Sequence, residues 1–225
     1  MPFHDRRDAG RRLVERLRGF RGSEAVVLAV PRGGVPVAFE VAAALSLPLE
    51  VEVVRKLRVP FQPGLVFGAV GDNGVQVIDE PLLLRAFVSD PERHRVTREA
   101  RNTLSRSIVR YRGPGSALRL DGRVAIVVDD GVATGATARA AIEAARARGA
   151  DRVVLAAPVG SPRAIRSLSR SADHVVCLET PAMFHSIAQW YQHFDDVPEN
   201  TVCELLARLS PPAPRSPVPQ ADPVP

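Results

Sequence analysis

Cysteine and lysine are nearly missing from this 225-residue chain, and each scarcity narrows what it does. The two cysteines, Cys177 and Cys203, have neither metal-ligand spacing nor the number a disulfide framework needs. They sit in apolar surroundings with no local base, which predicts buried, reduced thiols rather than a nucleophile. Lys56 is the sole lysine among 30 basic residues, so arginine carries almost all of the formal +5 charge. That pattern points to a coding bias, and the arginine count is therefore weak evidence for nucleic acid binding. Against such a background Lys56 either marks a need for a compact ammonium or stands there by chance. Long apolar runs are also missing, because Arg, Glu or Asp interrupts each one before membrane-spanning length. The start, Met1-Pro2-Phe3-His4-Asp5-Arg6, lacks the apolar core of a secretory signal, so the expected compartment is the cytoplasm.

Hydrophobic content of 45% and charged content of 24% suit a soluble globular protein with a substantial core. Apolar periodicity predicts a short helix over about 5–19, with Ala9, Leu13, Val14 and Leu17 on one side. Strands are expected at Ala25–Val30, Leu49–Val54, Val124–Val128, Arg152–Ala157 and His174–Leu178. Helices are expected at about 35–45, 91–111, 135–148 (closed by Gly149), after Ser161-Pro162, and at 184–194 and 198–209. Gly113-Pro114-Gly115 is the expected stop for the 91–111 helix. Pro60, Pro63 and Gly64 make Leu57–Gly64 read as an irregular, mobile loop. Val66–Val70 and Val75–Ile78 flank Gly71-Asp72-Asn73-Gly74 as a hairpin. Alternating strands and helices predict an α/β fold with a mostly parallel open sheet flanked by helices. One domain should fill 1–210, and the Pro-rich segment 211–225 should be a disordered tail.

The most informative stretch runs from Val124 to Thr137. An apolar β-branched strand leads to Asp129 and Asp130 at its carboxyl end, where open α/β sheets hold ligands. Gly131, Val132, Ala133, Thr134, Gly135, Ala136 and Thr137 follow as a turn opening a helix. Its glycines allow close approach of a phosphate, and the N–H groups of Thr134 to Thr137 make an anion site with two hydroxyls beside it. The acid pair can accept bonds from ribose hydroxyls, directly or through hydrated Mg²⁺. An ordinary strand–turn–helix with a threonine cap is the plain alternative. A second Gly-rich turn, Pro31-Arg32-Gly33-Gly34, also joins a strand to a helix and can hold a diphosphate by its N–H groups and Arg32.

Together these two turns resemble the phosphoribosyl-pyrophosphate and pyrophosphate loops of the type I phosphoribosyltransferases. The resemblance covers roughly residues 5–209, and the layout is closest to bacterial members whose acceptor is unassigned. It implies a small C-terminal hood at about 179–209, a flexible antiparallel hairpin, a homodimer, and 5-phosphoribosyl 1-pyrophosphate as substrate with Mg²⁺. In that family the pyrophosphate turn often holds a non-proline cis peptide, here after Arg32 or its neighbour. Arg55 and Lys56 are similar to the basic pair before the catalytic loop of adenine-type members, where cations meet departing pyrophosphate. A solvated basic edge is the competing reading. The resemblance assigns Asp129 and Asp130 to ribose and, through water and substrate, to the metal. Val132, Phe184 and His185 become candidates to touch a nitrogenous base. Trp190 and Phe194, four residues apart, are expected to pack on the sheet.

Ala133 stands where hypoxanthine–guanine members carry an acid, which weighs against that subclass. The implied reaction displaces pyrophosphate with a base. A non-catalytic sensor of the sugar diphosphate that contacts nucleic acid or a protein is the rival, and hydrolysis or transfer to another acceptor is a third reading. The basic helix with Arg93, His94, Arg95, Arg98, Arg101, Arg106 and Arg110 is read as solvated or subunit-contacting, with nucleic acid and membrane not expected as partners.

Overall fold

A computed structural model describes residues 2–112 and 117–209. The expected stop at Gly113–Gly115 and the tail from Pro211 lie outside these described residues. In chain order the elements are α1 (Arg6–Leu17), β1 (Val26–Ala29), α2 (Gly34–Leu45), β2 (Leu49–Val51), β3 (Val54–Val59), β4 (Gln62–Gly71) and β5 (Gln76–Ile78). Then come α3 (Glu80–Arg85), α4 (Asp90–Arg112), β6 (Val124–Val128), α5 (Ala136–Ala147), β7 (Arg152–Val159), α6 (Pro162–Leu168), β8 (His174–Glu179) and α7 (Glu199–Leu209).

Five strands form a parallel sheet in the order β2-β1-β6-β7-β8, and β3-β4-β5 form a small antiparallel sheet. The apolar runs read as buried strands divide their side chains between two cores. Val27, Ala29, Ile126, Val128, Val154 and Ala156 face one core. Their neighbours Val26, Leu28, Ala125, Val127, Val153 and Leu155 face the other. Period-two alternation into two apolar layers is why the sequence shows continuous hydrophobic runs. All of these strand residues are buried. Strand order reverses between β1 and β6, which makes a topological switch point. Ala29 pairs in register with Val128, so the turns after β1 and β6 open side by side.

Three expectations need correction. The Leu49–Val54 run is not one strand: β2 ends at Val51, and the chain leaves for the second sheet. Two acids of this run meet arginines from other elements. Glu50 and Glu52 turn inward to Arg148, each at 2.7 Å, and Glu50 also meets Arg112 at 2.8 Å. Arg112 in turn meets Asp72 at 2.7 Å, which ties α4 to the β4–β5 turn. The Leu57–Gly64 segment is not an irregular loop either. Val54, Leu57 and Val59 are buried, and β3 pairs with β4 around a tight turn at Pro60-Phe61. The pairing jumps from Arg58–Val66 to Val59–Gln62, so a bulge absorbs Pro63 and Gly64. Finally, the helix expected at 184–194 is a single 3-10 turn at Ala188–Trp190.

That last segment bonds elsewhere. Phe3 N donates to Trp190 O at 2.7 Å, Gln192 N to Phe3 O at 2.8 Å and His193 N to His4 O at 3.0 Å. Tyr191, rather than Trp190, takes the buried place beside Phe3, with Trp190 and Phe194 half-buried around them. The cysteines are free and half-buried, and burial pushes the Cys177 thiol up to about 12. Among the described residues no helix is long and apolar enough to cross a membrane.

Candidate active site

A cavity of about 720 Å³ opens at the switch point, and residues from both turns, the small sheet and the 187–196 segment line it. Its floor is made by close approach of two backbones. A side-chain carbon added at Gly33 would lie 2.0 Å from Asp130 Oδ2. One added at Gly34 would lie 2.7 Å from Val128 O and 3.0 Å from Asp129 Cα. The two glycines are therefore needed for space, since Gly33 itself has ordinary right-handed dihedrals. The Pro31–Arg32 bond is cis, and it stands before Arg32.

After β6 the chain turns with its carbonyls bonded at the back. Tyr191 Oη donates to Asp130 O at 2.6 Å, and Ser161 donates through N to Val132 O and through Oγ to Ala133 O at 2.8 and 2.6 Å. Gly135 has φ of +83°, where a side chain would be strained, and it delivers the chain into α5. The first N–H groups of α5 have no carbonyl one turn behind them, so they offer donors at the cavity edge. Thr134, Gly135 and Thr137 line the cavity with Gly131, Val132 and Ala133, whereas Gly34 and Ala136 do not.

Asp129 and Asp130 stand together on one wall. Asp129 Oδ1 accepts from Asp130 N at 2.9 Å, and Asp130 Oδ2 accepts from Arg6 Nε at 2.8 Å. Burial and then the neighbouring Asp130 charge push the Asp129 carboxyl well above its usual range, while Lys56 pulls in the opposite direction. Facing them are Arg32, Arg55, Lys56 and Arg58. Ser107 Oγ on α4 accepts a short hydrogen bond from the Arg55 guanidinium and so orients it. Three of these cations come from β3, whereas Arg32 stands on the turn after β1 and the carboxylates at the end of β6.

The residues proposed to touch a base are split. Val132 lines the cavity, but Phe184 packs in the Phe3–Tyr191 cluster and His185 is exposed outside it. Ile187 and Asp196 occupy the hood wall instead, with Ile187 seated 2.5 Å from where a Gly131 side chain would begin. Sequence reasoning also passed over Arg58, Gly64, Val66 and Arg6. Alternation along Arg55-Lys56-Leu57-Arg58 was a usable signal for Arg58. For Arg6 and Asp196 no local pattern exists, because the fold brings them in from the two ends of the domain.

Most of the α4 arginines already have protein partners. Arg95 meets Glu99 at 3.2 Å, Arg93 meets Glu80 at 3.4 Å, Arg110 meets Glu199 at 3.0 Å and Arg101 donates to Gln76 at 2.9 Å.

No protein-family model matches the chain. Two Mycobacterium tuberculosis proteins (strains CDC 1551 / Oshkosh and ATCC 25618 / H37Rv), each named "Putative phosphoribosyl transferase", are 48% identical to it over 206 residues. That match covers 92% of this chain and 46% of each relative, so the chain spans about half the length of the curated relatives it matches. The crystal structure of TT1426 from Thermus thermophilus superposes with a TM-score of 0.78 at 38% identity, over 94% of this chain and 100% of that one.

Proposed function

This chain belongs to the phosphoribosyltransferase family, and from that premise we propose that it is a Mg²⁺-dependent phosphoribosyltransferase using 5-phosphoribosyl 1-pyrophosphate. One observation carries the reading. An acid pair at the end of a buried strand and two Gly-containing backbone turns line one cavity together with Arg32, Arg55, Lys56 and Arg58. The 5-phosphate is held by the N–H groups and hydroxyls of Thr134–Thr137, and the diphosphate by the Pro31–Gly34 turn with Arg32. Asp129 and Asp130 accept from the ribose hydroxyls. As the C1–O bond to pyrophosphate breaks, Arg55, Lys56 and Arg58 meet the growing negative charge, and the carboxylates favour the cationic ribosyl centre. A ring nitrogen of the base then forms the new C1–N bond, with its proton leaving to pyrophosphate or water.

The residues present fit a magnesium ion. Burial first and the neighbouring Asp130 charge second raise the Asp129 carboxyl, and a bound cation would offset both. Among the described residues no group of three or more His, Cys, Asp or Glu side chains gathers to cage a metal. Mg²⁺ would therefore sit on Asp129 and Asp130 largely through water and substrate oxygens, supplying charge neutralisation to the diphosphate. The acceptor lies against Ile187 and Val132, where the Asp196 carboxylate suits a base edge that donates hydrogen bonds. The paired arginines of α4 support a solvated helix over a nucleic acid face. A homodimer in the cytoplasm belongs to the same reading, and exposed Leu84 and Phe87 offer it apolar surface.

The test is pyrophosphate release from the Mg²⁺ complex of 5-phosphoribosyl 1-pyrophosphate across purine, pyrimidine and pyridine bases, with a no-base control. Release that depends on one base establishes transfer and identifies the acceptor. Release without a base makes the protein a hydrolase, and tight binding with no release under any condition makes it a sensor.

A further inference from the structure

We propose that Arg6 is a positioning residue that locks the hood to the acid pair and so sets the ribose end of the cavity. This rests on the phosphoribosyl reading above. Arg6 Nε donates to Asp130 Oδ2 at 2.8 Å while its Nη1 donates to the Asp195 carbonyl at 2.7 Å. Its guanidinium also lies over the Phe194 ring, 3.9 Å from the centroid. One side chain therefore spans from the catalytic wall to the residue beside Asp196, and both ends line or border the same cavity.

The contact is sheltered, with the Arg6 and Asp130 side chains each 12% exposed. The other arginines early in α1 behave differently. Arg7 and Arg11 approach Glu40 at 3.8 and 3.9 Å, and Arg12 pairs with Asp8, all with side chains about half exposed. Helix α1 does not depend on Arg6 for its place. Asp5 caps it, and Ala9, Gly10, Leu13, Val14 and Leu17 are buried along its inner face. A cation in the first helical turn also opposes the helix dipole, so the position is unfavourable for the helix alone. What Arg6 stabilises lies outside the helix.

Asp129 and Asp130 are adjacent, and Asp196 lines the same cavity. Arg6 holds one oxygen of Asp130 and supplies the nearest compensating charge. The phosphate turns, by contrast, offer N–H groups from their own backbone and from the starts of α2 and α5, and Arg6 bonds to none of these groups, only to Asp130 and Asp195. Its loss is therefore expected to damage recognition of the sugar and spare recognition of the diphosphate.

The experiment compares wild type, Arg6→Met and Arg6→Lys by calorimetry with two probes, Mg²⁺–5-phosphoribosyl 1-pyrophosphate and metal-free inorganic pyrophosphate. Emission of Trp190, the sole tryptophan, reports the hood. Arg6→Met should bind the sugar diphosphate about tenfold more weakly, bind pyrophosphate within about twofold of wild type, and shift Trp190 emission to the red. Arg6→Lys should recover most of the sugar affinity, because an ammonium still meets Asp130, but not the emission, because it cannot also span to Asp195. Unchanged sugar affinity in Arg6→Met overturns the proposal. So does a parallel loss of both probes, which marks a general structural effect, or Arg6→Lys behaving as Arg6→Met. Wild type binding neither probe overturns the phosphoribosyl reading itself, and this proposal with it.

Discussion

Replacing Gly33 by alanine should disable the site while leaving the fold standing. Gly33 has φ −60° and ψ −36°, so alanine meets no backbone strain there. The difficulty is space: the new carbon would begin 2.0 Å from Asp130 Oδ2 and 2.6 Å from its Cγ, where real contacts start at 3.0–3.4 Å. Something must give by about 1 Å or more. Asp130 has little freedom to retreat, because Arg6 holds its carboxylate and Tyr191 holds its carbonyl. Either the acid rotates off Arg6 or the Pro31–Gly34 turn backs away from the cavity. Each outcome displaces a ligand-bearing group by a distance that costs about 10²-fold in a positioned reaction. Affinity for Mg²⁺–5-phosphoribosyl 1-pyrophosphate should fall about 10- to 100-fold, or about 1.4–2.8 kcal/mol, by titration calorimetry. Overpacking should lower unfolding stability by about 1–3 kcal/mol without changing the circular dichroism spectrum. Gly19→Ala, with nothing within 4 Å of the added carbon, is the matched control and should behave as wild type. A Gly33→Ala protein that binds the ligand normally would refute the claim that the two turns meet at the site.

Asp129→Asn combined with Asp130→Asn should abolish turnover while the protein stays folded by dichroism; retained turnover would remove the acid pair from the mechanism. Lys56→Ala should lower kcat by more than it weakens ground-state ligand binding, and equal losses would argue against a transition-state role. Glu52 is fully buried, and burial outweighs its Arg148 contacts to push its carboxyl from 4.5 up to about 7. The folded protein thus keeps a proton that the unfolded chain releases above about pH 4.5, so this residue's contribution to stability falls as pH rises toward about 7 and then levels off. The swing is on the order of 3 kcal/mol. Glu52→Gln cannot ionise, so urea melts from about pH 4.5 to about pH 8 should show wild type losing stability relative to the variant across that window. A constant difference would contradict the protonated carboxyl.

The parts of this molecule that were legible in the sequence are those whose cause is local. Val124–Val128 shows its burial as an apolar run, and Asp129–Thr137 carries the turn and the helix start in consecutive residues. The misreadings have long-range causes. Leu57–Gly64 reads as a loop because Pro60, Pro63 and Gly64 disfavour strands one by one, yet the fold assigns Pro60 to the turn and the others to a bulge. Leu49–Val54 breaks where Glu52 meets Arg148, 96 positions away. The 184–194 segment has helical spacing but gives its backbone bonds to Phe3 and His4. Phe184 and His185 were reasonable candidates by residue type, whereas Ile187 and Asp196 reach the cavity through the path of that irregular segment.

The bridge between Phe3 and Tyr191 has a consequence for how the protein is made. Phe3 is made long before Tyr191 and has no partner until Tyr191 arrives. On a ribosome the acid-pair strand and both phosphate turns have emerged long before Tyr191, while Phe3, almost fully covered in the finished protein, has no cover yet. Closing so long a loop is slow relative to local pairing. Closure of the wall that carries Ile187 and Asp196 thus comes after both turns and the acid-pair strand have been made. A chain released short of Tyr191 would leave Phe3 as an open, greasy seam, a product suited to chaperone capture.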